Sequence, residues 1–251
     1  MDSNTETTYR ESHASAGKGK EYDRHFEYRY RSFLWAQEKK ILGKIVDRFL
    51  PTPEFDYLDF ACGTGRVISH LEKRAKTATG VDVSDAMVEQ ARQKVERAEF
   101  VISDITRSQP FGDKKFGLIT AFRFFPNAED SLRHEVACAI AKLLADDGIF
   151  VFNNHKNRFS CVGIAMRMYS RLRGGSFRTM TLREIHDLAA GAGLEVVDVY
   201  HTGVVPGYEW LMFMPRACYS ALENLFARVG WLRHLALDQV VVCRRIKQSQ
   251  K

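Results

Sequence analysis

One short segment joins a carboxylate to two closely spaced glycines. An apolar run at residues 55–60 contains Asp59, Gly63 and Gly65 follow it, and a helical spacing of apolar residues begins at Val67. This order predicts a strand, a tight loop and the start of a helix. Because glycine has no Cβ, the backbone N–H groups of such a loop can approach a ligand closely. The segment therefore predicts a site for a nucleotide-like molecule.

Position 68 distinguishes this loop from that of the dinucleotide-binding dehydrogenases. Their fingerprint has a glycine or alanine three residues after the second loop glycine. Here Ile68 stands three residues after Gly65. The difference argues against a hydride-transfer enzyme.

Two further acids follow short apolar strands. The strand Thr77–Asp82 ends in Asp82 and is followed by Ser84, a predicted helix N-cap, while a third strand at Phe100–Ser103 is followed by Asp104. A carboxylate at the carboxyl end of the second strand of an α/β sheet can accept two hydrogen bonds from a ribose diol. Asp82 is therefore the candidate for the ribose. The alternative for both acids is a helix-capping or turn carboxylate.

The elements that would position these residues alternate along the chain. Strand and helix patterns alternate over residues 55–152, which predicts a parallel sheet with helices on both faces. Strands at 194–201 and 239–244 would complete the sheet as its sixth and seventh. Apolar residues at helical spacing over 22–49 predict a helix before the first strand.

This series of motifs resembles the class I S-adenosylmethionine-dependent methyltransferases. The matching segments, in the family's order, are Leu58–Gly65, Gly80–Ser84, Ser103–Ile105, Phe116–Phe122 and Leu143–Val151. The resemblance covers roughly residues 22–245. It implies an α/β fold with a Rossmann-like doubly wound sheet of seven strands, mostly parallel with the last strand antiparallel. It also implies an N-terminal helical cap and an apolar insertion between the sixth and seventh strands.

Two positions depart from the family's pattern. Gly117 stands where the family often has an acidic residue, and the turn before the fifth strand is Asp146-Asp147-Gly148 instead of Pro-Gly-Gly. Neither position usually touches the methyl group. We interpret both as local variation that changes neither the expected fold nor the expected cofactor.

The resemblance implies S-adenosyl-L-methionine as the cofactor and S-adenosyl-L-homocysteine (SAH) as its product. Asp59 and the glycine loop would flank the methionine part, Asp82 would bind the ribose hydroxyls, and Asp104 would read the adenine edge. Tyr22, in the N-terminal helix, would close over the cofactor. The full set of implied cofactor-binding residues is Tyr22, Asp59, Ala61, Cys62, Gly63, Gly65, Asp82, Val83, Met87, Asp104, Ile105 and Phe122.

The predicted site for the methyl acceptor is a polar cluster at residues 153–157, where the fifth strand ends. His155 is the candidate general base, because imidazole titrates near neutral pH. The alternative is a histidine that only bonds loop backbone or orients the substrate. The candidate substrate-binding residues are Tyr30, Asn157, His201 and Trp210.

The chain is organised as one domain with a tail. Residues 1–20 are rich in small and polar residues and are predicted to be disordered, and the resemblance implies that residues 21–251 form a single methyltransferase domain. Thr181 and Glu184 form a predicted capping box at the start of a helix. The apolar insertion at about 202–238 either packs on the sheet edge or covers a substrate pocket.

Composition limits the function classes. The 251 residues carry a net charge of +6 that is mostly dispersed along the chain, so no nucleic-acid partner is expected. No apolar run is long enough for a membrane span, and no zinc-type ligand spacing occurs, so we expect no metal.

The five cysteines show no Cys-x-x-Cys pair and fit a reducing cytoplasm. Cys62 is interpreted as a small residue tolerated beside the cofactor, with a nucleophile as the alternative.

The leading hypothesis is an enzyme that methylates an oxygen or nitrogen of a small biosynthetic intermediate with an apolar portion. The first alternative is a methyltransferase-like scaffold that binds cofactor without turnover, and the lesser ones are enzymes acting on a glycan, a lipid or a nucleic acid. The helix pattern at 162–173 leaves open a peripheral membrane contact. The sequence does not identify the acceptor or the oligomeric state.

Overall fold

Strands and helices alternate along most of the described chain. A computed structural model describes residues 28–175, 177–205 and 215–247. The strands are β1 (Asp56–Phe60), β2 (Thr77–Asp82), β3 (Glu99–Ile102), β4 (Phe116–Ala121), β5 (Leu144–Asn154), β6 (Leu194–Thr202) and β7 (Asp238–Arg245). The helices are α1 (Arg29–Phe49), α2 (Ile68–Leu71), α3 (Asp85–Arg92), α4 (Asp130–Leu143), α5 (Cys161–Leu172), α6 (Leu182–Gly191) and α7 (Arg216–Arg228). Short 3₁₀ helices lie at Glu72–Arg74 and Leu232–Leu235. The alternation has two exceptions, since β3 is followed directly by β4 and α5 directly by α6.

The seven strands form one sheet in the order β3-β2-β1-β4-β5-β7-β6. Strands β1 to β5 pair in parallel, and β7 runs antiparallel to both of its neighbours. The predicted fold class is therefore confirmed. The strand order reverses between β1 and β4, and in open α/β sheets the carboxyl ends of the strands at such a point form the ligand crevice. The glycine loop leaves β1 at this point.

Helices cover both faces of the sheet with separate apolar clusters. On one face, α1 and α2 contribute Leu42, Ile45 and Ile68, which pack against Tyr57 and Val151. On the other face, α4 and α6 pack against the phenylalanines of β5. That second cluster includes Val136, Ile140, Ile185, Phe150 and Phe152. Each of these large side chains contributes about 1.5–3 kcal/mol by leaving water.

Of the two departures from the family's motifs, Gly117 has a local steric explanation, and the other lies at an irregularity of the sheet. A Cβ on Gly117 would lie 2.8 Å from the Cβ of Phe55, so Phe55 occupies the space that a side chain there would need. The pairing of β4 with β5 shifts register between Phe116 and Leu118. The predicted turn at residues 146–148 is thus an irregularity inside β5, and a Cβ on Gly148 would lie 2.9 Å from the Phe116 carbonyl oxygen.

The predicted capping box is confirmed at the start of α6. The backbone N–H of Glu184 donates to Thr181 Oγ1 at 3.2 Å, and Glu184 Oε2 accepts from the Thr181 N–H at 2.7 Å. The bonds satisfy two of the N–H groups that a helix start leaves unpaired.

Several predictions fall on residues outside the described ranges. They concern the tail at 1–20, Tyr22, and Trp210 within the apolar part of the insertion. The described part of the insertion contains α7 and the second 3₁₀ helix. The division of the chain into a tail and one domain stays a prediction.

Candidate active site at the carboxyl edge of the sheet

The loop after β1 makes a tight turn through left-handed backbone conformations. Ala61, Gly63 and Gly65 have φ angles of 52°, 53° and 80°. A Cβ on Gly65 would lie 3.0 Å from the Cβ of Ala91, so this glycine lets α3 pack onto the loop. A Cβ on Gly63 would meet nothing within 4 Å. Gly65 therefore serves packing, whereas Gly63 faces open space where a ligand can approach the backbone.

Asp82 fixes the position of this loop. Its Oδ2 accepts the backbone N–H of Gly63 at 2.8 Å, and its Oδ1 accepts that of Ser84 at 2.9 Å. Ser84 takes the predicted N-cap position of α3, but its side chain makes no capping bond. A carboxylate has about four acceptor positions. Asp82 holds the loop at the carboxyl end of β2, the place predicted for the ribose hydroxyls, and its binding of a ribose stays a prediction.

Asp59 is buried at the end of β1, beneath the loop. Thr120 Oγ1 donates to Asp59 Oδ1 at 2.6 Å and also lies 2.8 Å from the Tyr57 hydroxyl. Burial raises the pKa of Asp59 from 3.8 to about 7, against the lowering effect of the Thr120 bond. The carboxyl group is thus poised between its two forms near neutral pH. A cation bound beside it would favour the carboxylate.

A buried polar cluster links α1 to the loop and to the sheet. Arg66 Nη1 contacts Glu38 Oε2 at 3.0 Å, and Asn153 Nδ2 donates to Glu38 Oε1 at 3.0 Å. Burial and the Glu38 charge hold the pKa of Asp238 well above its usual value. Although burial alone would raise the pKa of Glu38, Arg66 and Arg123 bring it below its usual value. The charges of Arg66 and Arg123 thus favour the carboxylate form of Glu38.

The residues that the resemblance places at adenine follow β2 and β3, and Phe122, which it places near the amino group of the cofactor, follows β4. Asp104 Oδ1 accepts the backbone N–H of Thr106 at 2.9 Å and its hydroxyl at 2.7 Å. These are the bonds of a turn carboxylate, the alternative named for this acid, and Asp104 Oδ2 lies 3.7 Å from Arg107 Nε. Ile105, Met87 and Phe122 are buried, and Val83 is exposed.

Beyond β4 lies a group of cations that we call the cationic edge, consisting of Arg123, Lys156 and Arg178. Arg123 follows β4 with a φ of 65°, and its N–H donates to Asn153 Oδ1 at 2.7 Å. Lys156 Nζ donates to Asn127 Oδ1 at 2.6 Å and lies 5.0 Å from the centre of the Phe177 ring. Burial, then the charges of Arg123 and Arg178, lower the pKa of Lys156 to about 8.

His155, the predicted catalytic residue, lies at the end of β5 beside the cationic edge. Its Nδ1 is buried and has no hydrogen-bond partner within the described part of the chain. Burial, then the charges of Arg123 and Lys156, hold its pKa well below its usual 6.5. The imidazole is therefore neutral near pH 7 and a weaker base than an ordinary histidine. Its role as a general base or as a positioning group stays a prediction.

The other predicted substrate-binding residues are held by their surroundings. Both amide hydrogens of Asn157 donate to backbone carbonyls, those of His234 and Ala236, at 2.8 and 2.7 Å. The Tyr30 hydroxyl donates to the Val205 carbonyl at 3.4 Å. His201 is opposite Gln239 in β7, two strands away from Asn154 of β5. Burial, then His234 and Arg233, lower its pKa to about 4.

Cys62 has the environment of a packing residue. Burial and then the charges of Asp59 and Asp82 raise the pKa of its thiol well above the usual value. A nucleophilic cysteine requires the opposite shift.

Sequence reasoning did not select Glu38, Arg66, Arg123 or Lys156 as site residues. Arg66 directly follows Gly65, and Lys156 directly follows His155. Their positions beside predicted site residues could therefore have identified them. Glu38 gave no such signal, because its partners Asn153 and Asp238 are remote in the sequence.

The chain resembles known proteins in both sequence and structure. Residues 58–152 match the sequence profile of a family described as "Methyltransferase domain". A trans-aconitate 2-methyltransferase from Delftia acidovorans is 31% identical over 206 residues, or 73% of this chain and 70% of that protein. A demethylmenaquinone methyltransferase from Thermotoga maritima is 31% identical over 105 residues, or 41% of this chain. The match spans 45% of that relative, less than half its length.

Solved structures share the fold at low identity. The magnesium protoporphyrin IX methyltransferase of Synechocystis, solved with bound SAH, has a TM-score of 0.60 at 13% identity and covers 86% of this chain and 84% of its own. An S-adenosylmethionine-dependent methyltransferase from Clostridium acetobutylicum has a TM-score of 0.58 at 17% identity, covering 91% of this chain and 99% of its own. This chain belongs to the class I S-adenosylmethionine-dependent methyltransferases, whose methyl donor is S-adenosyl-L-methionine.

The residues at the strand-order reversal fit that cofactor. A cleft there is lined by residues from the ends of β1 and β4, including Asp59, Gly63, Arg66 and Phe122. The cleft has open space at Gly63 and a buried carboxyl group at Asp59, and Asp82 accepts the Gly63 N–H beside it. Within residues 28–175, 177–205 and 215–247, no helix is long and apolar enough to cross a membrane. The same residues contain no group of three or more His, Cys, Asp or Glu arranged to hold a metal.

Proposed function

We propose that this protein transfers a methyl group from S-adenosyl-L-methionine to a carboxylate oxygen of a small molecule with an apolar portion. One observation carries the proposal. Arg123 of the cationic edge follows β4, the strand next to β1 and its glycine loop. Lys156 follows β5, one strand further away, and neighbouring strands are about 4.8 Å apart. An anionic acceptor held there would lie next to the methyl group of a cofactor held by the loop.

The protein's own residues would orient the two reactants. Asp82 would accept hydrogen bonds from the ribose, and ionised Asp59 would lie beside the positive charge of the methionine part. Glu38 and Arg66 would hold α1 over the loop, so that the helix excludes water from the cleft. Fixing both reactants in this way converts a bimolecular reaction into one between groups already aligned.

The acceptor would be held by charge. Lys156 and Arg123 offer N–H donors to a carboxylate, and hydrogen bonds between charged partners are roughly twice as strong as neutral ones. Phe177, beside Lys156, would contribute an apolar contact. This division of roles suits an acceptor with one anionic end and an apolar body.

A carboxylate acceptor removes the need for a strong base. S-adenosyl-L-methionine supplies a methyl group bound to a positively charged sulfur. A carboxylate oxygen forms the new bond with its own electron pair, the C–S bond breaks with its electrons going to sulfur, and no proton is released. We propose that neutral His155 positions the acceptor by a hydrogen bond, which fits its lowered pKa.

The names of the relatives support a small acceptor. One acts by name on demethylmenaquinone and another on trans-aconitate. The second of these acceptors is a carboxylate, and that relative matches 73% of this chain.

The first experiment tests cofactor binding. SAH would be titrated by calorimetry into the unmodified protein, Asp82→Ala and Asp85→Ala, the last being an exposed acid at the start of α3. We expect Asp82→Ala to weaken binding by about 10-fold or more, about 1.4 kcal/mol. Asp85→Ala should bind as the unmodified protein does. Absence of SAH binding to the unmodified protein would remove the proposal.

The second experiment tests the acceptor. Carboxylic acids with aromatic, alkyl and tricarboxylic bodies would be compared with their matched amides and alcohols, with SAH formation as the readout. Turnover confined to the acids supports the proposal. Turnover of the amides or alcohols at equal rates contradicts a carboxylate acceptor, and tight cofactor binding without any turnover favours a scaffold.

A further inference from the structure

Helix α5 turns its apolar side chains towards solvent instead of towards the core. Ile164, Met168 and Leu172 are 45%, 62% and 87% exposed, and Phe159, just before the helix, is 55% exposed. Because these three helix residues are four apart, they lie on one stripe of the helix. A surface helix normally buries such a stripe.

The orientation of α5 is fixed by contacts on its opposite side. Gly163 is the one buried residue in this fully described helix. A Cβ there would lie 2.2 Å from the Asn157 carbonyl oxygen, so the absence of a side chain permits the contact. Ser160 caps the helix, accepting the Gly163 N–H at 2.9 Å. The helix cannot roll its apolar stripe inwards without losing these contacts.

The segment that contains α5 carries positive charge only. Residues 148–183 include no Asp or Glu, and their seven basic residues are Lys156, Arg158, Arg167, Arg171, Arg173, Arg178 and Arg183. Arg173 lies 5.2 Å from the centre of the Tyr169 ring, beside the apolar stripe. Arg158 and Arg178 pair with Glu184 and Glu129 of neighbouring elements. The helix α5 itself contains no acid and combines exposed apolar side chains with arginines.

We propose that α5 docks this protein on an anionic lipid surface. The stripe Ile164, Met168 and Leu172 would enter the boundary between headgroups and acyl chains, while Arg167, Arg171 and Arg173 would lie at the level of the phosphates. Charge favours lipid over a second copy of this chain, since two identical cationic stripes would repel each other. The contact of Gly163 with Asn157 joins the docked helix to the end of β5, on the acceptor side of the site. The inference does not depend on the proposed function.

The test is co-sedimentation of the full-length protein with vesicles at low and high salt. The vesicles are pure phosphatidylcholine, or equal parts phosphatidylcholine and phosphatidylglycerol. We expect binding to the anionic vesicles that declines with salt, and a loss of about 10-fold, about 1.4 kcal/mol, in both Met168→Glu and Leu172→Glu. The matched control is Leu225→Glu, which adds the same charge at a residue of α7 that is 54% exposed.

Each other outcome overturns the proposal. Failure to bind anionic vesicles at low salt excludes lipid docking. A loss in Leu225→Glu equal to that in Leu172→Glu would mean a general charge effect. Self-association by light scattering that Leu172→Glu abolishes would make the stripe a dimer contact. SAH binding by each variant checks that it is folded, and its persistence separates a failure here from a failure of the methyltransferase proposal.

Discussion

The backbone N–H of Gly63 donates to the Asp82 carboxylate at 2.8 Å, and this bond joins the loop after β1 to the end of β2. The two residues are neighbours because β1 and β2 pair in parallel, with Phe60 opposite Val81. The carboxylate thereby holds the glycine loop, and it is also the group proposed to bind the ribose. Loss of Asp82 is expected to release the loop and the ribose site together.

The two loop glycines should respond differently to alanine. In Gly65→Ala, the new methyl would collide with Ala91 and Val95, so we expect a loss of about 2–3 kcal/mol in unfolding free energy. In Gly63→Ala, the methyl would enter the cleft and weaken SAH binding by about 10-fold with a smaller effect on stability. Gly112→Ala is the matched control, since Gly112 has the same φ of 53° and open space around it.

Urea denaturation and calorimetry distinguish these effects. Gly112→Ala should show the cost of the backbone strain alone, about 1–2 kcal/mol, without a change in SAH affinity. If Gly63→Ala bound SAH as Gly112→Ala does, the loop would not contact the cofactor.

Asp59 should couple cofactor binding to proton release. With a pKa of about 7, it is partly protonated at neutral pH, and the positive charge of S-adenosyl-L-methionine would expel that proton. We expect the binding enthalpy at pH 7 to depend on the ionisation enthalpy of the buffer, with a release of up to about half a proton. Asp59→Asn should lose this dependence. An equal dependence in the variant would assign the proton to another group.

The same shift predicts how stability varies with pH. Between about pH 4 and 7 the folded state retains a proton on Asp59 that the unfolded chain has released, so this group makes the protein less stable as the pH rises. Melting temperatures measured across this range should decline less steeply in Asp59→Asn than in the unmodified protein. Parallel curves would contradict a raised pKa in the folded state.

Glu38 should contribute far more to stability than a surface acid of the same helix. Glu38→Ala would leave the Arg66 guanidinium beside the loop without its buried carboxylate, at a cost of about 3 kcal/mol. Asp47, also on α1, forms an exposed ion pair with Arg74, so Asp47→Ala should cost less than about 0.5 kcal/mol. Urea denaturation of the two variants makes the comparison, and equal losses would show that the buried cluster does not stabilise α1.

Lys156 should determine the affinity for a carboxylate acceptor and its pH dependence. Lys156→Gln is expected to raise KM by about 10-fold with little change in kcat, and Lys156→Arg to restore it in part. Because the pKa of Lys156 is about 8, kcat/KM should fall above that pH in the unmodified protein and stay level in Lys156→Arg. Lys73→Gln, at an exposed position, is the control. An unchanged KM in Lys156→Gln would remove the lysine from the acceptor site.

The motifs near the cofactor could be predicted because their signals are local. The glycines, the acids at strand ends and the capping box of Thr181 and Glu184 each depend on backbone conformation within a few residues. The alternation of strands and helices similarly predicted a sheet, which the structure confirms with seven strands.

The acceptor side could not be predicted in the same way. Asn157 was predicted to bind substrate, and its amide hydrogens donate to the carbonyls of His234 and Ala236, almost eighty residues further along the chain. Its role in substrate binding stays a prediction. The sequence also predicted an amphipathic helix near residues 162–173 without showing which face would be outward. The contact of Gly163 with the Asn157 carbonyl determines which face of this helix points towards solvent.

The sequence by itself determined the fold class and the position of the glycine loop and its acids, because strand and turn propensities act between near neighbours. The tertiary structure alone brought Glu38 to Asn153 and Arg123 to Lys156, and it buried Asp59 and His155. Charge, burial and pKa depend on which residues share a small volume. The packing of α1 and the order of the strands decide which residues share that volume. Residues that are distant in the chain contribute to both.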